Sequence, residues 1–483
     1  MNGVVVYLAD KALATSIKRS LEEKYGFEFQ VVAHENLKEI KISQTRCIAL
    51  EWSLRYEMCV HLVGIGDSVD VTLYNDRFVS DIDNSQELDG ALSKALILGD
   101  YDTCKAINEF YLAGDVIRKR AILRSFPVNL QLETTDLCNA RCIMCSHSYD
   151  SGTGLDLFDS GIVDRITPIL PFLKMVILHG NGEPFLSKQL VCRLNELSKY
   201  GIRFATNTNL SIVTDDILQV LNTSFNELTV SCDGYDKRSY ESIRRGLSFE
   251  AFVENCKTVR ECCPTLIMKM AVVMMRQNMH RLPEIIHLAH ELGFNEVLLN
   301  QLCVDKRLGN TNDDPYLYRS HYIESIEKAN IIAQECGMAI SAPPIQRDDG
   351  GERPDSKSHS SSDLSIRGIC DWLVEQPFIN IQGDVSICCI NQKIRVGNIF
   401  TDDIMSLWNN SSYQNYRKTF FSGKIEKCCL GCDFLLQRRL HFIAISDLPT
   451  YEHLKKSGSR EDARLSMISK QAASQDAFPA KLI

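Results

Sequence analysis

The chain has 483 residues, of which 45% are hydrophobic and 24% are charged, as is typical of a soluble globular protein of about two or three domains. The formal net charge of −9 disfavours a nucleic-acid partner, because proteins that bind nucleic acid carry basic patches. No window approaches the roughly 18 uninterrupted apolar residues of a membrane span, and no basic run precedes the first apolar residues as in a secretory signal. The 19 cysteines therefore predict metal chemistry in a reducing, cytoplasmic compartment rather than disulfides.

Residues 1–103 predict a small α/β domain whose role the sequence does not assign. Short apolar strands are expected at Val4–Leu8 and Phe29–Val32, with an amphipathic helix over Lys11–Lys24 between them. A connecting helix over residues 104–126 follows. Pro127 ends this helix, because proline removes a helix hydrogen bond.

Residues 127–340 repeat strand and helix six times. Strands that are apolar throughout and alternate with helices are typical of a parallel sheet covered by helices. The six predicted strands are Val128–Thr135, Lys174–His179, Ile202–Thr206, Glu227–Ser231, Leu266–Met275 and Glu296–Asn300. Six units predict an α/β fold with an open, partial TIM-like (β/α)6 barrel rather than a closed eightfold one. Beyond it we expect a linker over 341–368, a cysteine-rich module over 369–440 and a polar tail over 441–483.

The loop after the first predicted barrel strand carries three thiols, those of Cys138, Cys142 and Cys145. It stands at the carboxyl end of the strand, where barrel folds collect their active sites. Thiolates are soft donors, and iron–sulfur clusters take several of them from a short run. Three cysteines leave one iron of a four-iron cluster open to a ligand that is not protein. A zinc site or scattered structural thiols are the alternatives, although zinc usually shows two paired knuckles.

The CxxxCxxC spacing, with Met144 in the hydrophobic position before the last cysteine, resembles the signature of the radical SAM enzymes. The resemblance implies that S-adenosylmethionine chelates the open iron through its methionyl amino and carboxylate groups. One electron from the cluster then cleaves the sulfonium and gives a 5′-deoxyadenosyl radical that abstracts hydrogen from a substrate. The core of this family has the same (β/α)6 shape that the strand pattern predicts.

Two later motifs resemble the family's cofactor-binding elements. Gly180, Gly182 and Glu183 stand in Gly-Asn-Gly-Glu-Pro after the second strand, similar to the GGEP motif that grips the methionyl ammonium. Glycines let a backbone approach closely, and a carboxylate accepts hydrogen bonds from an amine. At the end of the third strand, Asn207 would lie near the methionyl or ribose end of the cofactor. A plain strand-terminal turn is the alternative for this asparagine.

The fourth strand ends in Ser231-Cys232-Asp233-Gly234, and Tyr240 to Arg244 follows as Tyr-x2-Ile-Arg. These segments resemble the SxDG and YxxIR elements of radical SAM enzymes with extended carboxyl termini. The resemblance implies that Ser231 approaches the ribose hydroxyls and that Arg244 reaches the methionyl carboxylate, for which a planar guanidinium is suited. Asp233 contacts either cofactor or substrate, and the alternative for Arg244 is a surface basic pair.

The module after residue 369 resembles the SPASM domain, in which cysteines hold an auxiliary cluster. The resemblance implies four ligands and one auxiliary [4Fe–4S] cluster with no open iron; the ligands are Cys370, Cys388, Cys429 and Cys432. Doubled cysteines make Cys389 and Cys428 substitutes in this register. A zinc knuckle is the alternative.

The resemblance implies an enzyme, a radical SAM oxidoreductase or maturase that uses an electron donor such as flavodoxin or ferredoxin. SPASM relatives include peptide and protein maturases and oxidases of aminocyclitol sugars. We favour a peptide or protein substrate over oxidation or epimerisation of a small molecule, because a separate amino-terminal domain suits peptide docking. A non-catalytic iron–sulfur protein for electron transfer or sensing is a further alternative.

Overall fold

The computed structural model describes residues 86–148, 152–302, 308–342, 370–389 and 394–422, together with Lys424, Glu426, Cys429 and the main chain of five amino-terminal strands. The helix predicted over Lys11–Lys24, nearly all of the 341–368 linker and the 441–483 tail lie outside the described residues. Described residues up to Ser125 form one compact unit, and those from Phe126 onwards, with the module that starts at Cys370, form another.

The first unit contains two small sheets and a pair of helices. Strands β1 to β3 are parallel in the order β2-β1-β3, and β4 and β5 form an antiparallel hairpin. The elements are β1 Val5–Leu8, β2 Gln30–Ala33, β3 Cys47–Ala49, β4 Cys59–Ile65, β5 Ser68–Tyr74, α1 Gln86–Leu98 and α2 Tyr101–Ile117. The two helices share an apolar cluster that includes Leu88, Ile107 and Phe110, and Asp89 accepts hydrogen bonds from Tyr111 and Arg124 beside it.

The second unit is built on one continuous sheet with the strand order β12-β11-β10-β9-β8-β7-β6-β13-β14-β15. Its parallel core strands are β6 Asn129–Leu132, β7 Met175–Ile177, β8 Arg203–Thr208, β9 Phe225–Ser231, β10 Ile267–Met274, β11 Glu296–Gln301 and β12 Ala339–Ser341. The helices between them are α3 Ile162–Ile166, α4 Leu190–Leu197, α5 Asp215–Ser224, α6 Lys237–Ile243, α7 Phe249–Cys262, α8 Leu282–Glu291 and α9 Arg319–Glu335. The predicted α/β fold with an open run of six strand–helix units is confirmed, and β12 adds a short seventh strand beside β11.

The two faces of the core strands differ in chemistry, although the sequence predicted strands that are apolar throughout. Residues paired in register on neighbouring parallel strands share a face. One such row joins Val230 to Met270 and then Val297, and all three are fully buried. The adjacent row joins Thr229 to Lys269, which ion-pairs with glutamates on both neighbouring strands. Lys269 and Val273 on this second face are half-buried, whereas the first row is fully buried.

The cysteine-rich module continues the same sheet instead of forming a separate layer. Strand β13, Phe378–Ile379, pairs parallel with β6, and β14 Asp384–Ser386 and β15 Arg395–Asn398 follow antiparallel. Main-chain bonds from Gln131 N to Pro377 O (3.0 Å) and from Glu133 N to Ile379 O (2.9 Å) join the module to the barrel. The short helices of the module are α10 Asp371–Val374, α11 Ile404–Trp408 and α12 Ser411–Phe421.

Candidate active site

The three cysteines of the loop after β6 lie together as half-buried, free thiols. Cys138, Cys142 and Cys145 are close enough that a negative charge on one raises the pKa of another, although burial is the main reason that the pKa of Cys142 rises to about 11. The loop is closed by its own hydrogen bonds, from Cys145 N to Cys142 O (3.2 Å) and from Ser148 Oγ to the same oxygen (2.8 Å). These bonds hold the three cysteines within one compact loop, and their binding of a cluster stays a prediction.

The cysteine loop is tied to the segment that follows α6. Arg141 N donates to Arg245 O at 2.7 Å, and Ile143 N donates to Ile243 O at 3.0 Å. Met144 is half-buried and packs against a small apolar cluster that includes Met275. Met144 thus anchors the loop on the barrel, and the segment carrying Arg244 runs directly alongside the cysteines.

Arg244 lies between an acidic residue and one of the cysteines. Its Nη2 is 2.7 Å from Asp233 Oδ2, and its Nη1 donates to Cys142 Sγ at 3.8 Å. Both side chains are nearly or fully buried, so the pair is shielded from solvent. Asp233 also accepts from Val273 N at 2.7 Å, which fixes the carboxylate at the end of β10. Within the part of the chain that the structure describes, Arg244 Nε is buried with no hydrogen-bond partner, so one donor remains for a ligand.

Glu183 of the Gly-Asn-Gly-Glu-Pro turn is buried and accepts hydrogen bonds from the end of β8. Its Oε1 accepts from Thr208 Oγ1 (2.6 Å), and its Oε2 accepts from Asn209 N (2.7 Å). Burial raises the pKa of this carboxyl, and the hydrogen bonds oppose the rise. Glu183 N donates to Leu137 O at 2.7 Å, so the turn braces the residue just before the first cysteine. A Cβ on Gly182 would collide with the carbonyl oxygens of Thr135 and Leu137, so this glycine permits that close approach.

The sequence analysis missed Glu133, which joins the turn after β7 to the cysteine-rich module. This buried carboxylate accepts from Asn181 N through Oε1 (2.8 Å) and from Ile381 N through Oε2 (2.9 Å). A Cβ on Gly180 would collide with the Glu133 side chain, so the lack of a side chain at Gly180 permits this close contact. The signal was present in the sequence, because a glutamate that directly follows a core strand must be paired when it is buried.

Asn207 and Ser231 lie at the carboxyl ends of β8 and β9, where Asn207 is exposed and Ser231 half-buried. The asparagine that contacts the cysteine loop is Asn209, which the sequence analysis did not single out. Its Nδ2 donates to Asn139 Oδ1 at 2.9 Å, and Asn139 Nδ2 donates to Ser211 Oγ at 2.8 Å. Asn207 and Ser231 remain available for ligand, while Asn209 positions the loop.

The second cysteine site lies in the module. Cys370, Cys388, Cys389 and Cys429 are half-buried and form no disulfide, whereas Cys428 and Cys432 lie outside the described residues. Burial raises the pKa of the fully buried Tyr413 on α12, and a negative charge on Cys388 or Cys370 would raise it further. The hydroxyl of Tyr413 is buried and has no hydrogen-bond partner among the described atoms.

The donor sets of both sites fit iron–sulfur clusters. Each offers cysteine thiols, the donors that such clusters prefer, and a buried polar atom, Arg244 Nε or the Tyr413 hydroxyl, that the described protein groups leave unsatisfied. No group of three His, Cys, Asp or Glu side chains placed for a single metal ion occurs within the described ranges. Likewise, no described helix is long and apolar enough to cross a bilayer.

The cysteines outside the two sites differ in burial. Cys104, Cys256 and Cys263 are buried, Cys336 is half-buried, and Cys192 and Cys262 are exposed on helices. Packing therefore does not explain Cys192 and Cys262. Cys303 lies outside the described residues.

Comparison with known proteins agrees with the geometry. The family model of the radical SAM superfamily matches residues 132–289, and that of the SPASM iron–sulfur cluster-binding domain matches residues 370–433. The chain therefore contains a radical SAM domain and, carboxyl-terminal to it, a SPASM domain. The cofactors of these domains are a [4Fe–4S] cluster with S-adenosylmethionine and an auxiliary iron–sulfur cluster, respectively.

Particular relatives are distant. The chain is 26% identical, over 36% of its length, to a tungsten-containing aldehyde ferredoxin oxidoreductase cofactor-modifying protein of Pyrococcus furiosus. It is 24% identical, again over 36% of its length, to a probable GTP 3′,8-cyclase of Saccharolobus islandicus. These matches cover 51% and 56% of the respective relatives, so the chain spans about half the length of the curated proteins it matches. Streptococcus suis SuiB bound to its precursor peptide SuiA is similar with a TM-score of 0.49 and 15% identity, over 69% of this chain and 77% of SuiB.

Proposed function

We propose that this protein is a radical SAM enzyme that abstracts hydrogen from a peptide or protein substrate. The observation that carries the proposal is the loop of Cys138, Cys142 and Cys145, in which Cys142 Sγ lies 3.8 Å from Nη1 of the buried, Asp233-paired Arg244. When bound, the reduced cluster supplies one electron that breaks the 5′ carbon–sulfur bond of S-adenosylmethionine, giving methionine and a 5′-deoxyadenosyl radical that takes a hydrogen atom from substrate.

The residues around the loop hold the cofactor site rigid. Glu183 and Asn209 fix the positions of Leu137 and Asn139 on either side of the first cysteine. Arg244 keeps a positive charge at Cys142, which favours the thiolate that a cluster requires. The unpartnered Nε of Arg244 is a donor that suits the methionyl carboxylate.

The exposed polar ends of the core strands suit contact with substrate. Asn207 and Asn300 are exposed at the carboxyl ends of their strands, and Ser231 between them is half-buried. Amide and hydroxyl groups both donate and accept hydrogen bonds, so they can bind the main chain of an extended peptide. These side chains and the cysteine loop lie at the same, carboxyl-terminal edge of the sheet, which supports a substrate position there.

The amino-terminal unit supplies a second argument for a peptide. Among the described strands of that unit, β2 and β3 flank β1 and each pairs on one side alone. A strand edge of this kind binds extended peptides by adding a strand through main-chain hydrogen bonds. Protection of β2 or β3 amides from hydrogen exchange when substrate peptide is added would test this role.

The experiment that tests the enzyme proposal is anaerobic turnover of the full-length, iron-reconstituted protein with dithionite and S-adenosylmethionine. We expect 5′-deoxyadenosine from the wild type and none from Cys142→Ala, which removes one ligand. Formation of no 5′-deoxyadenosine by the wild type, with the cluster present by absorption and EPR spectroscopy, would refute the proposal.

A small-molecule substrate is the second candidate, and the names of the sequence relatives favour it. These names describe a cofactor-modifying protein and a probable GTP cyclase. The two candidates separate when a short peptide encoded beside the gene and GTP are each added to the same assay. We expect the peptide, and not GTP, to increase 5′-deoxyadenosine and to change in mass.

A further inference from the structure

The main chain places Cys142 opposite Arg244. The amides of the residues on either side of Cys142 donate to carbonyl oxygens of the residues on either side of Arg244, at 2.7 and 3.0 Å. Between these two bonds, Arg244 Nη1 donates to Cys142 Sγ at 3.8 Å. Because main-chain bonds flank the contact on both sides, the register of the two segments brings the guanidinium to this thiol.

Asp233 fixes the same guanidinium at its other amino group. Its Oδ2 lies 2.7 Å from Arg244 Nη2, and its Oδ1 accepts from Val273 N at 2.7 Å. The carbonyl oxygen of Asp233 accepts from Nδ2 of the buried Asn278 at 3.2 Å, and Asn278 Oδ1 accepts from Met275 N at 2.8 Å. The carboxylate is therefore fixed at both oxygens and at its main chain, so it holds Arg244 in place beside Cys142.

Burial makes the charges of this pair effective at the cysteine. The Arg244 side chain is nearly buried and that of Asp233 is fully buried, and charges interact more strongly there than in water. Reduction adds one negative charge to a cluster that Cys142 Sγ ligates. A hydrogen bond and a positive charge at this sulfur stabilise the reduced form, whereas a carboxylate nearby destabilises it.

We propose that Arg244 donates a hydrogen bond to the Cys142 thiolate of the cluster-loaded loop and raises the reduction potential of the core cluster, and that Asp233 limits this rise. The inference rests on the proposed function, because it requires a cluster at the loop. It goes beyond the role in binding the methionyl carboxylate, which uses the unpartnered Nε, since Nη1 and Nη2 are engaged within the protein. Arg244 acts on the cluster through a cysteine, so it is a positioning residue.

The test is a redox titration, followed by EPR, of the full-length, iron-reconstituted protein without S-adenosylmethionine. The signal of the core cluster is the one that is absent from Cys142→Ala. We expect Arg244→Gln to shift its midpoint potential to a more negative value and Asp233→Asn to shift it to a more positive value. Each shift should change the ratio of reduced to oxidised cluster at a given potential on the order of tenfold, which is about 59 mV for one electron.

The exposed pair Lys237–Glu250 provides the matched controls. Lys237→Gln and Glu250→Gln make the same changes in charge, and both side chains are more than half exposed. Solvent and salt screen exposed charges, so neither substitution should move the midpoint potential. The controls separate the effect of the buried pair from that of net charge.

Opposite shifts in Arg244→Gln and Asp233→Asn, with both controls unshifted, support the inference. Unshifted potentials, shifts of the same sign, or equal shifts in the controls overturn it and leave the proposed function intact. If Arg244→Gln binds no cluster, Asp233→Asn decides, because it keeps the arginine and replaces the carboxylate by an amide of similar shape. A wild-type protein that shows these shifts but makes no 5′-deoxyadenosine refutes the proposed activity alone, and one that binds no core cluster overturns both proposals.

Discussion

The Asp233 carboxylate and the Arg244 guanidinium meet at 2.7 Å, with 0% and 8% of their side chains exposed. Removing one member of a buried ion pair leaves an uncompensated charge and typically costs about 3–5 kcal/mol. We therefore expect Asp233→Ala to lower the free energy of unfolding by that amount, as measured by urea denaturation under anaerobic conditions.

The exposed pair Lys237–Glu250 is the matched control, since its atoms are 2.9 Å apart with about two thirds of each side chain exposed. Exposed pairs contribute about 0–1 kcal/mol. Glu250→Ala should therefore change the free energy of unfolding by no more than about 1 kcal/mol in the same measurement. Equal effects of the two substitutions would contradict the view that Asp233 compensates a buried charge.

Gly182→Ala should displace the cysteine loop, because the added Cβ would overlap the carbonyl oxygens of Thr135 and Leu137. We expect the purified, reconstituted variant to bind less iron and to make less 5′-deoxyadenosine. Gly90→Ala is the control, since a Cβ there meets nothing within 4 Å, and alanine in a helix is favoured over glycine by about 1 kcal/mol. If Gly182→Ala bound as much iron as the wild type, the turn that contains Gly182 would not determine the position of the cysteine loop.

In the folded protein, buried cysteines should be alkylated more slowly than exposed ones. Burial raises the pKa of Cys104 to about 11 and that of Cys232 to about 12, so both remain protonated thiols at pH 8. The exposed Cys192 and Cys262 should react with iodoacetamide on the order of a hundredfold faster, because the thiolate is the nucleophile. Peptide mass spectrometry after timed alkylation measures the rates, and comparable labelling of Cys104 and Cys192 in the folded protein would contradict the packing.

The stabilisation supplied by Asp136 should disappear in acid. Burial alone would raise the pKa of this carboxyl, but hydrogen bonds from Thr153 and from Leu155 N (3.0 Å) outweigh it and hold the pKa below its usual value. A carboxyl with a lowered pKa stabilises the fold above its unfolded pKa of about 3.9, and that contribution is lost as the pH falls through the folded value. The difference in unfolding free energy between wild type and Asp136→Asn should therefore be constant near pH 6–7 and shrink below about pH 4. A difference independent of pH would rule out this linkage.

Local sequence patterns were enough to predict the cysteine loop, the six strand–helix units and the cysteine-rich module, because each depends on residues close together in the chain. Contacts between distant residues were not predictable in the same way. The hydrogen bond between Glu133 and Ile381 spans 248 residues, and that between Asn209 and Asn139 spans 70. The sequence pattern selected Asn207, whereas the observed contact to the cysteine loop comes from Asn209. Spacing likewise could not reveal that Arg244 already has two partners, in Asp233 and Cys142.

The pairing of β13 with β6 has a consequence for how this protein can be divided. A chain cut before Cys370 would leave the edge of β6 without the partner that Pro377 and Ile379 supply, and Glu133 would lose one of its two donors. A newly bared strand edge recruits other chains. Removing the SPASM domain by truncation or splicing therefore exposes an edge of the core sheet, and we expect the shortened chain to aggregate rather than to remain a folded enzyme.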